Sequence, residues 1–282
     1  MSARFSTDRP PTPDTGGAGA RGWLRRGHSD LVLAWQRLGT AAYFAWGEIR
    51  SRYSRSVLGP LWLLLNTSVS IACLSLVYSL LLHQDPAQMV PLITVGLVVW
   101  QWMAACVGEA SSTFTRNAHF IRNIPGPLSS FLLVLLLRQA MIFAHHLIVI
   151  LVVFALFPPT WGWSQLLVVP GLALVVANLA WVCLVLAITG ARFRDLEHTV
   201  AALMPLLFLI SPVIYRPDLL AGSQWLVWVN PFSYLIALIR DPLLGAQPPS
   251  FVLLAAASTA VIGGAAATLL LGRFRNQVPF WV

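Results

Sequence analysis

The sequence predicts an all-α polytopic membrane protein with six transmembrane helices, an N-terminal amphipathic interface helix and a re-entrant helical hairpin between spans five and six. Of the 282 residues, 10% are charged and 57% are hydrophobic, whereas a soluble domain has about 25% charged and about 45–50% apolar residues. Long uncharged stretches also recur along the chain, and most positive charges lie on one side of them. This pattern excludes an ordinary soluble domain and a disordered chain.

Six stretches are long and apolar enough, or nearly so, to cross a hydrocarbon core of about 30 Å, which needs about 20 residues. They cover 58–82, 90–107, 128–154, 165–189, 200–215 and 251–271. The fifth is short and contains Pro205 and Pro212. The uncharged region 219–239 is interrupted by Asn230-Pro231, so we expect two short helices that enter and leave the membrane on one side. Protein or a water-filled cavity must then cover the non-helical backbone.

The positive charges orient this arrangement. All eighteen basic residues are Arg: fifteen lie in segments on one side of the six spans, two lie on the other, and Arg138 lies within the third span. The positive-inside rule therefore places both termini in the cytoplasm. The absence of Lys excludes a P-loop, in which a Lys reaches the phosphates. This chain therefore cannot be a P-loop ATPase by itself. We also expect no catalytic residues and no enzyme activity in it, with ATP hydrolysis left to a partner chain.

The chain divides into four predicted regions. These are a disordered, Arg- and Pro-rich cytoplasmic tail at 1–40, the amphipathic interface helix at 41–56, the transmembrane domain at 57–275 with its re-entrant gate region at 219–246, and a cytoplasmic C-terminal tail at 276–282. No metal site is predicted, because the adjacent His145 and His146 point apart on a helix and have no further ligand at a suitable spacing.

The interface helix suggests a phosphate site at the membrane surface. Arg52 and Arg55 lie opposite an aromatic stripe and precede the turn at Leu58-Gly59. An Arg fork can pair two phosphate oxygens at once, so these four residues are candidates for a pyrophosphate-binding entrance. The alternative is that the arginines only bind anionic lipid headgroups.

Four segments resemble ABC-2-type permeases that export polysaccharides. They are the opening 52–62 (RYSRSVLGPLW), the segment 117–125 (NAHFIRNIP), the pair 191–196 (ARFRDL) and 211–215 (SPVIY), and the region 230–245, which contains NPF and RD. Their order and spacing also agree with the family, over about residues 40–275. One departure is Pro125-Gly126-Pro127, where relatives often have an aromatic residue before Pro.

The resemblance implies the transmembrane subunit of an ABC exporter in a bacterial plasma membrane. Its cargo would be a polyprenyl-pyrophosphate- or lipid-linked polysaccharide, such as an O-antigen, teichoic acid, capsule or galactan. Two copies would form a homodimeric conduit, and two copies of a separate ATPase subunit would bind the ATP and Mg, leaving this chain without a cofactor. We predict contacts with that ATPase at Arg116, Asn117, Phe120, Ile121, Arg122, Arg194 and Asp195, with Phe114 as a further apolar contact.

A conduit for sugars needs polar groups and flat aromatic faces, because sugar hydroxyls cannot leave water without replacement hydrogen bonds. The candidate lining residues are Trp62, Tyr78, Trp100, Trp102, Phe208 and Tyr215. The candidate outer gate consists of Trp225, Trp228, Asn230, Pro231 and Phe232. For each lining residue the alternative is packing against lipid or in an interfacial belt.

Arg138 needs a partner, since a charge at mid-membrane costs about 2.5–3.5 kcal/mol on insertion scales. We expect it to face protein or water and to pair with a helix-end carbonyl or with Glu109.

Two other functions stay open. One is an ABC-2 permease for a drug or small lipid. The other, less favoured because acidic residues are scattered, is a membrane-embedded glycosyltransferase.

Overall fold

The computed structural model describes residues 19–54, 56, 59, 61–83, 85–217 and 224–282, and every regular element in these ranges is helical. The elements are α1 (Ala20–Gln36), α2 (Leu38–Tyr53), α3 (Leu61–Leu82), α4 (Pro86–Ala110), α5 (Thr113–Arg116), α6 (Ala118–Asn123), α7 (Ser129–Leu156), a 3₁₀ helix (Trp163–Leu167), α8 (Val168–Arg192), α9 (Leu196–Ile210), α10 (Gln224–Val229), α11 (Pro231–Leu243), α12 (Ser250–Phe274) and α13 (Val278–Trp281).

Five helices are long and apolar enough to cross a membrane, which makes this a multi-pass membrane protein. They are α3, α4, α7, the 3₁₀ helix continued by α8, and α12, with 21 to 30 residues each. At 1.5 Å per residue each covers about 30 Å or more. These five helices confirm five of the predicted spans as apolar helices of membrane-crossing length.

The segment predicted as the fifth span is a shorter helix. α9 has 15 residues, which is about 22 Å and less than a hydrocarbon core. It ends because Ser211 precedes Pro212, and a residue before proline is pushed out of the helical region. Ser211 has an extended backbone with ψ of 142°, whereas Pro205 lies inside α9 without ending it.

α4 lies at the centre of the bundle. It packs against α3, α7, α8, α9 and α11, and 78% of its most apolar window is buried, against 17% for α3 and α12. α3 and α12 therefore turn long apolar faces outward. In a membrane protein such faces are covered by lipid or by another subunit.

The prediction of a disordered tail at 1–40 is wrong for its second half, which forms α1 and the start of α2. α1 crosses α12 at close range, because a Cβ on Gly27 would lie 2.1 Å from the carbonyl oxygen of Thr268 and one on Gly272 would lie 1.8 Å from that of Trp23. The prolines that suggested disorder all precede residue 19 and lie outside the described residues. The composition averaged over 1–40 therefore predicted disorder for a helix that tertiary contacts stabilise.

Asp30 fixes α1 at this end of the bundle. The side chain is fully buried and accepts hydrogen bonds from the backbone N–H groups of Leu128 and Ser129 at 3.2 and 3.0 Å. It also pairs with Arg275 at 3.1 Å. Asp30 thus satisfies free donors at the start of α7 and joins α1 to residues that follow α12. Because both described ends of the chain lie here, we name this the terminal end of the bundle.

Candidate functional site

The candidate site at the terminal end is built around Arg138. One guanidinium nitrogen donates to Glu48 on α2, and another donates to Glu109 near the end of α4. Gln139 donates to the second oxygen of Glu109 at 2.9 Å. The expected pairing of Arg138 with Glu109 is confirmed, and Glu48, which was not among the predicted partners of Arg138, completes the cluster. Two carboxylates share one guanidinium, so the group carries a formal charge of −1.

The position of Arg138 along its helix lowers the cost of its charge. The residue is nine positions after the start of α7, about 14 Å along a helix of 28 residues. It therefore lies about a third of the way along, at the level where α4 ends. Its side chain is 13% exposed, so the two carboxylates replace most of the water that the charge would otherwise need.

A cavity of about 410 Å³ opens beside this cluster. α2, α5, α6 and the start of α7 surround it, and its lining includes the charged cluster, Arg37 and Arg116, and the aromatic rings of Phe44, Phe120 and Phe131. The cavity separates α2 from the segment between α4 and α7. A movement of one element relative to the other would therefore change the shape of this space first.

The predicted ATPase-contact segment forms the two short helices α5 and α6. Phe120 is 52% exposed and Arg116 forms an exposed ion pair with Glu197 at 3.0 Å, so both are available to a partner. Phe114 and Ile121 are buried at 0% and 8%, which does not agree with their predicted apolar contact. Both belong to the hydrophobic core and anchor the segment to the bundle.

Other contacts hold the same segment from inside the chain. Arg122 donates to the carbonyl oxygen of Val282, and α13 packs on both α6 and α8. The Asn117 amide donates to the Thr113 carbonyl oxygen at 2.9 Å. The predicted contact residues Arg194 and Asp195 are exposed between α8 and α9. The residues predicted to meet an ATPase therefore lie at one end of the bundle.

Several predicted aromatic residues come together deeper in the bundle. The ring of Trp100 on α4 lies 5.6 Å from that of Phe208 on α9 and 5.7 Å from that of Phe232 on α11. Trp100 is 6% exposed, so this cluster is closed in a single chain. Trp102 stacks on Phe143 at 4.4 Å and is also buried, so it packs in the core.

The remaining lining candidates are distributed differently. Tyr78 is partly buried against the core, and Trp62 at the start of α3 is 52% exposed. Tyr215 donates a hydrogen bond to the carbonyl oxygen of Ile210 at 2.7 Å. Only Trp100 and Phe208 of the predicted lining set are in direct ring contact, so the structure does not bring the set together as one surface.

Residues 211–214, which follow α9, are buried although they are not helical. Arg240 on α11 donates to the carbonyl oxygens of Pro212 and Tyr215 and binds its neighbour Asp241 at 2.8 Å. The amide of Asn230 donates to the hydroxyl of Ser211 at 2.8 Å. Two backbone carbonyl oxygens in this segment are thus satisfied by a protein donor, as non-helical backbone at membrane depth requires.

The predicted gate residues surround these contacts. Asn230 is buried and caps α11 by accepting from the N–H of Phe232 at 3.0 Å, while Pro231 occupies the first helical position. Trp228 stacks on Tyr234 at 5.8 Å and Trp225 is 66% exposed. Asn230 therefore has a structural role in joining α11 to the end of α9, in addition to its predicted place in the gate.

The predicted phosphate entrance is described only in part. Arg52 is exposed on the last turn of α2, and Gly59 adopts a positive φ of 52°, a conformation that favours glycine. Arg55 and Leu58 lie outside the described residues. His145 and His146 each form a hydrogen bond with the backbone carbonyl oxygen four residues earlier. Among the described residues, no group of three or more His, Cys, Asp or Glu side chains could hold a metal.

The five long helices, the charged cluster and the satisfied non-helical segment define a multi-pass membrane protein with a polar terminal end. Residues 42–244 match the family model for the ABC-2 type transporter. The chain belongs to this family, as the resemblance in its sequence motifs predicted. α1, α12 and α13 lie outside the matched residues.

Three relatives of this chain are described as O-antigen export permeases. Two O-antigen export system permease proteins RfbA from Klebsiella pneumoniae are 28% identical over 204 residues and 26% identical over 200 residues, and each comparison covers 69% of this chain and 76% of the relative. A protein with the same description from Myxococcus xanthus is 26% identical over 171 residues, which is 60% of this chain and 65% of the relative.

Proposed function

We propose that this chain is the transmembrane permease subunit of an ABC exporter that moves a polyprenyl-pyrophosphate- or lipid-linked polysaccharide from the cytoplasm across the bacterial plasma membrane. The similarity to O-antigen export permeases over about 200 residues carries the proposal. It adds a cargo class to a family assignment that by itself indicates a transport subunit.

A separate ATPase supplies the energy in this proposal and binds the ATP and Mg. Its contact is the exposed side of α5 and α6, with Phe120 and Arg116 as the available residues, together with Arg194 and Asp195 after α8. Phe114 and Ile121 support the segment from within. Since all of these residues lie at the terminal end, one partner surface could meet them all.

Six crossings with both termini in the cytoplasm complete the proposed topology. α9 and the segment 211–215 together form the fifth crossing, and α10 and α11 form the re-entrant hairpin. The hydrogen bonds that Arg240 donates to backbone carbonyl oxygens of this segment support the assignment, because they reduce the penalty for non-helical backbone. Among the arginines of the described residues, only Arg216 and Arg240 belong to the opposite end, which agrees with the positive-inside rule.

A conduit between two copies is the proposed path of the glycan. The outward apolar face of α3, which includes Leu65, Val69 and Leu76, is a surface that a second copy could cover. Trp100, Phe208 and Phe232 are in contact in the single chain, and we propose that they separate when a sugar chain passes. Arg52 and Arg55 are proposed to bind the pyrophosphate at the cytoplasmic surface.

Depletion of the protein followed by analysis of lipid-linked polymers tests the function. A lipid-linked polysaccharide should accumulate inside the cells, and re-expression of the chain should restore export. Normal polymer distribution, with loss of resistance to a drug or of a small exported lipid, would favour the alternative cargo. Reporter tags at residue 282 test the topology, and exposure of that residue at the outer surface would contradict it.

A further inference from the structure

We propose that Arg138, Glu109 and Glu48 form a charge clamp that transmits movement of the α5–α6 segment to the interface helix α2. The inference rests on the proposed function, because it assumes that a partner ATPase acts on that segment. It assigns positioning roles to three residues that touch neither nucleotide nor glycan.

The inner arm of the clamp joins Arg138 to Glu109, and it is built as a fixed connection. The Glu109 side chain is 23% exposed and also accepts from Gln139, the neighbour of Arg138, at 2.9 Å. Its backbone carbonyl accepts from the hydroxyl of Thr113, the first residue of α5, at 2.9 Å. A shift of α5 therefore moves Glu109, and Glu109 moves Arg138.

The outer arm joins Arg138 to Glu48, and it is built to release. The Glu48 side chain is 46% exposed, so water can replace the guanidinium at lower cost than at Glu109. The rest of the buried face of α2 consists of Ala41, Ala45 and Ile49, whose small or apolar side chains do not fix a register by hydrogen bonds. The adjoining cavity of about 410 Å³ leaves space for α2 to tilt.

The composition of the cluster makes this connection responsive to position. An Arg offers five N–H donors in one plane, and Nε of Arg138 is buried without a hydrogen-bond partner among the described residues. A rotation of the guanidinium can therefore exchange donors without leaving the carboxylates. The two carboxylates repel each other. If one of them moves away from the guanidinium, Arg138 is therefore held more strongly by the other. α2 leads through Gly59 into α3, so its tilt would reach the proposed glycan entrance.

The test separates ATP hydrolysis from export. Glu48→Gln keeps the shape of the side chain but removes the charge. In the chain purified with its partner ATPase and reconstituted in lipid vesicles, we expect the ATPase rate to stay within about twofold of wild type. In depleted cells that express the variant, we expect export of the accumulating lipid-linked polymer to fall by about tenfold, the size of a typical coupling term. Arg138→Gln should reduce export at least as much, and Arg138→Lys should restore part of it.

Asp85→Asn is the matched control. It makes the same carboxylate-to-amide change at the opposite end of the bundle, where Asp85 caps α4 by accepting from the Ala87 N–H at 2.9 Å. Asn is an equally good cap, so export should be unchanged. Co-purification of each variant with the ATPase shows whether the complex still assembles.

Each result bears on one of the two proposals. If Glu48→Gln assembles and exports like wild type in cells that depend on the chain for export, the clamp is wrong and the proposed function stands. Equal losses of ATPase rate and export in an assembled complex would also contradict the clamp. If depletion of the wild-type chain causes no polymer to accumulate, the proposed function itself is wrong.

Discussion

Arg138 and Arg240 are both largely buried in the helical bundle, yet the groups that satisfy them differ in kind. Arg240 is 2% exposed and binds its chain neighbour Asp241 as well as backbone carbonyl oxygens. Arg138 is satisfied by two carboxylates that lie 90 and 29 residues away in sequence and belong to separate helices. One arginine therefore holds a local backbone conformation, while the other joins elements that can move apart.

The difference shows what a buried charge can be used for. A backbone carbonyl after the end of α9 has no alternative partner in hydrocarbon, so removal of Arg240 leaves it without a hydrogen bond. A carboxylate at a cavity can be rehydrated, so the contacts of Arg138 are reversible. We therefore expect substitutions around Arg240 to affect folding and substitutions around Arg138 to affect transport.

The largest expected effect is that of Arg240→Ala. It leaves Asp241 without its guanidinium and two carbonyl oxygens without their donor, which corresponds to the loss of about 3–5 kcal/mol seen when one member of a buried pair is removed. The yield and thermal unfolding temperature of the protein in detergent measure the effect. Arg216→Ala, in the same region but exposed, is the control and should behave like wild type. A normally stable Arg240→Ala protein would remove the distinction between the two arginines.

The next effect concerns the place where the segment held by Arg240 meets α4. A Cβ on Gly96 would lie 2.1 Å from the carbonyl oxygen of Val213, so Gly96→Ala should displace that backbone and destabilise the fold by about 1–3 kcal/mol. Gly108→Ala on the same helix meets nothing within 4 Å and should be neutral or slightly stabilising. Equal thermal unfolding temperatures for the two variants would show that the close contact has no energetic weight.

A smaller contrast should appear within the Arg138 cluster. Glu109→Gln removes the less exposed carboxylate and should lower stability by about 1–3 kcal/mol. Glu48→Gln removes a half-exposed partner and should cost about 0–1 kcal/mol. Thermal unfolding of both variants, followed side by side, checks the order. If Glu48→Gln is the more damaging for stability, the assignment of fixed and releasable arms is reversed.

The smallest effect is expected for an exposed pair at the same end. Arg116 and Glu197 are 58% and 47% exposed, so Glu197→Gln should change stability by less than about 0.5 kcal/mol and lose even that at high salt. Unfolding at low and high ionic strength tests this. A large, salt-independent loss would mean that exposure is a poor guide to the strength of ion pairs in this protein, including that of Glu48.

Local sequence was sufficient for part of the site. Arg138 interrupts an apolar stretch, and a charge there requires a partner, so the presence of an ion pair and the candidate Glu109 followed from sequence alone. Glu48 could not be chosen in the same way. The helix that carries it was predicted from an aromatic stripe, and nothing in that pattern indicates a contact with Arg138, which lies 90 residues further along the chain. One clue was available in the sequence. The chain has only ten acidic residues, so few carboxylates could pair with Arg138, and Glu48 is one of them.

The sequence by itself determined the class of protein and five long helices, because hydropathy over about 20 residues is a local property that the bilayer enforces directly. It also held the reason for the end of α9, in the proline at position 212. Tertiary structure alone decided that α1 is a helix, that Glu48 completes the cluster and that Arg240 holds residues 211–215. These features depend on contacts between residues distant in the chain, and such contacts leave no periodicity in the sequence.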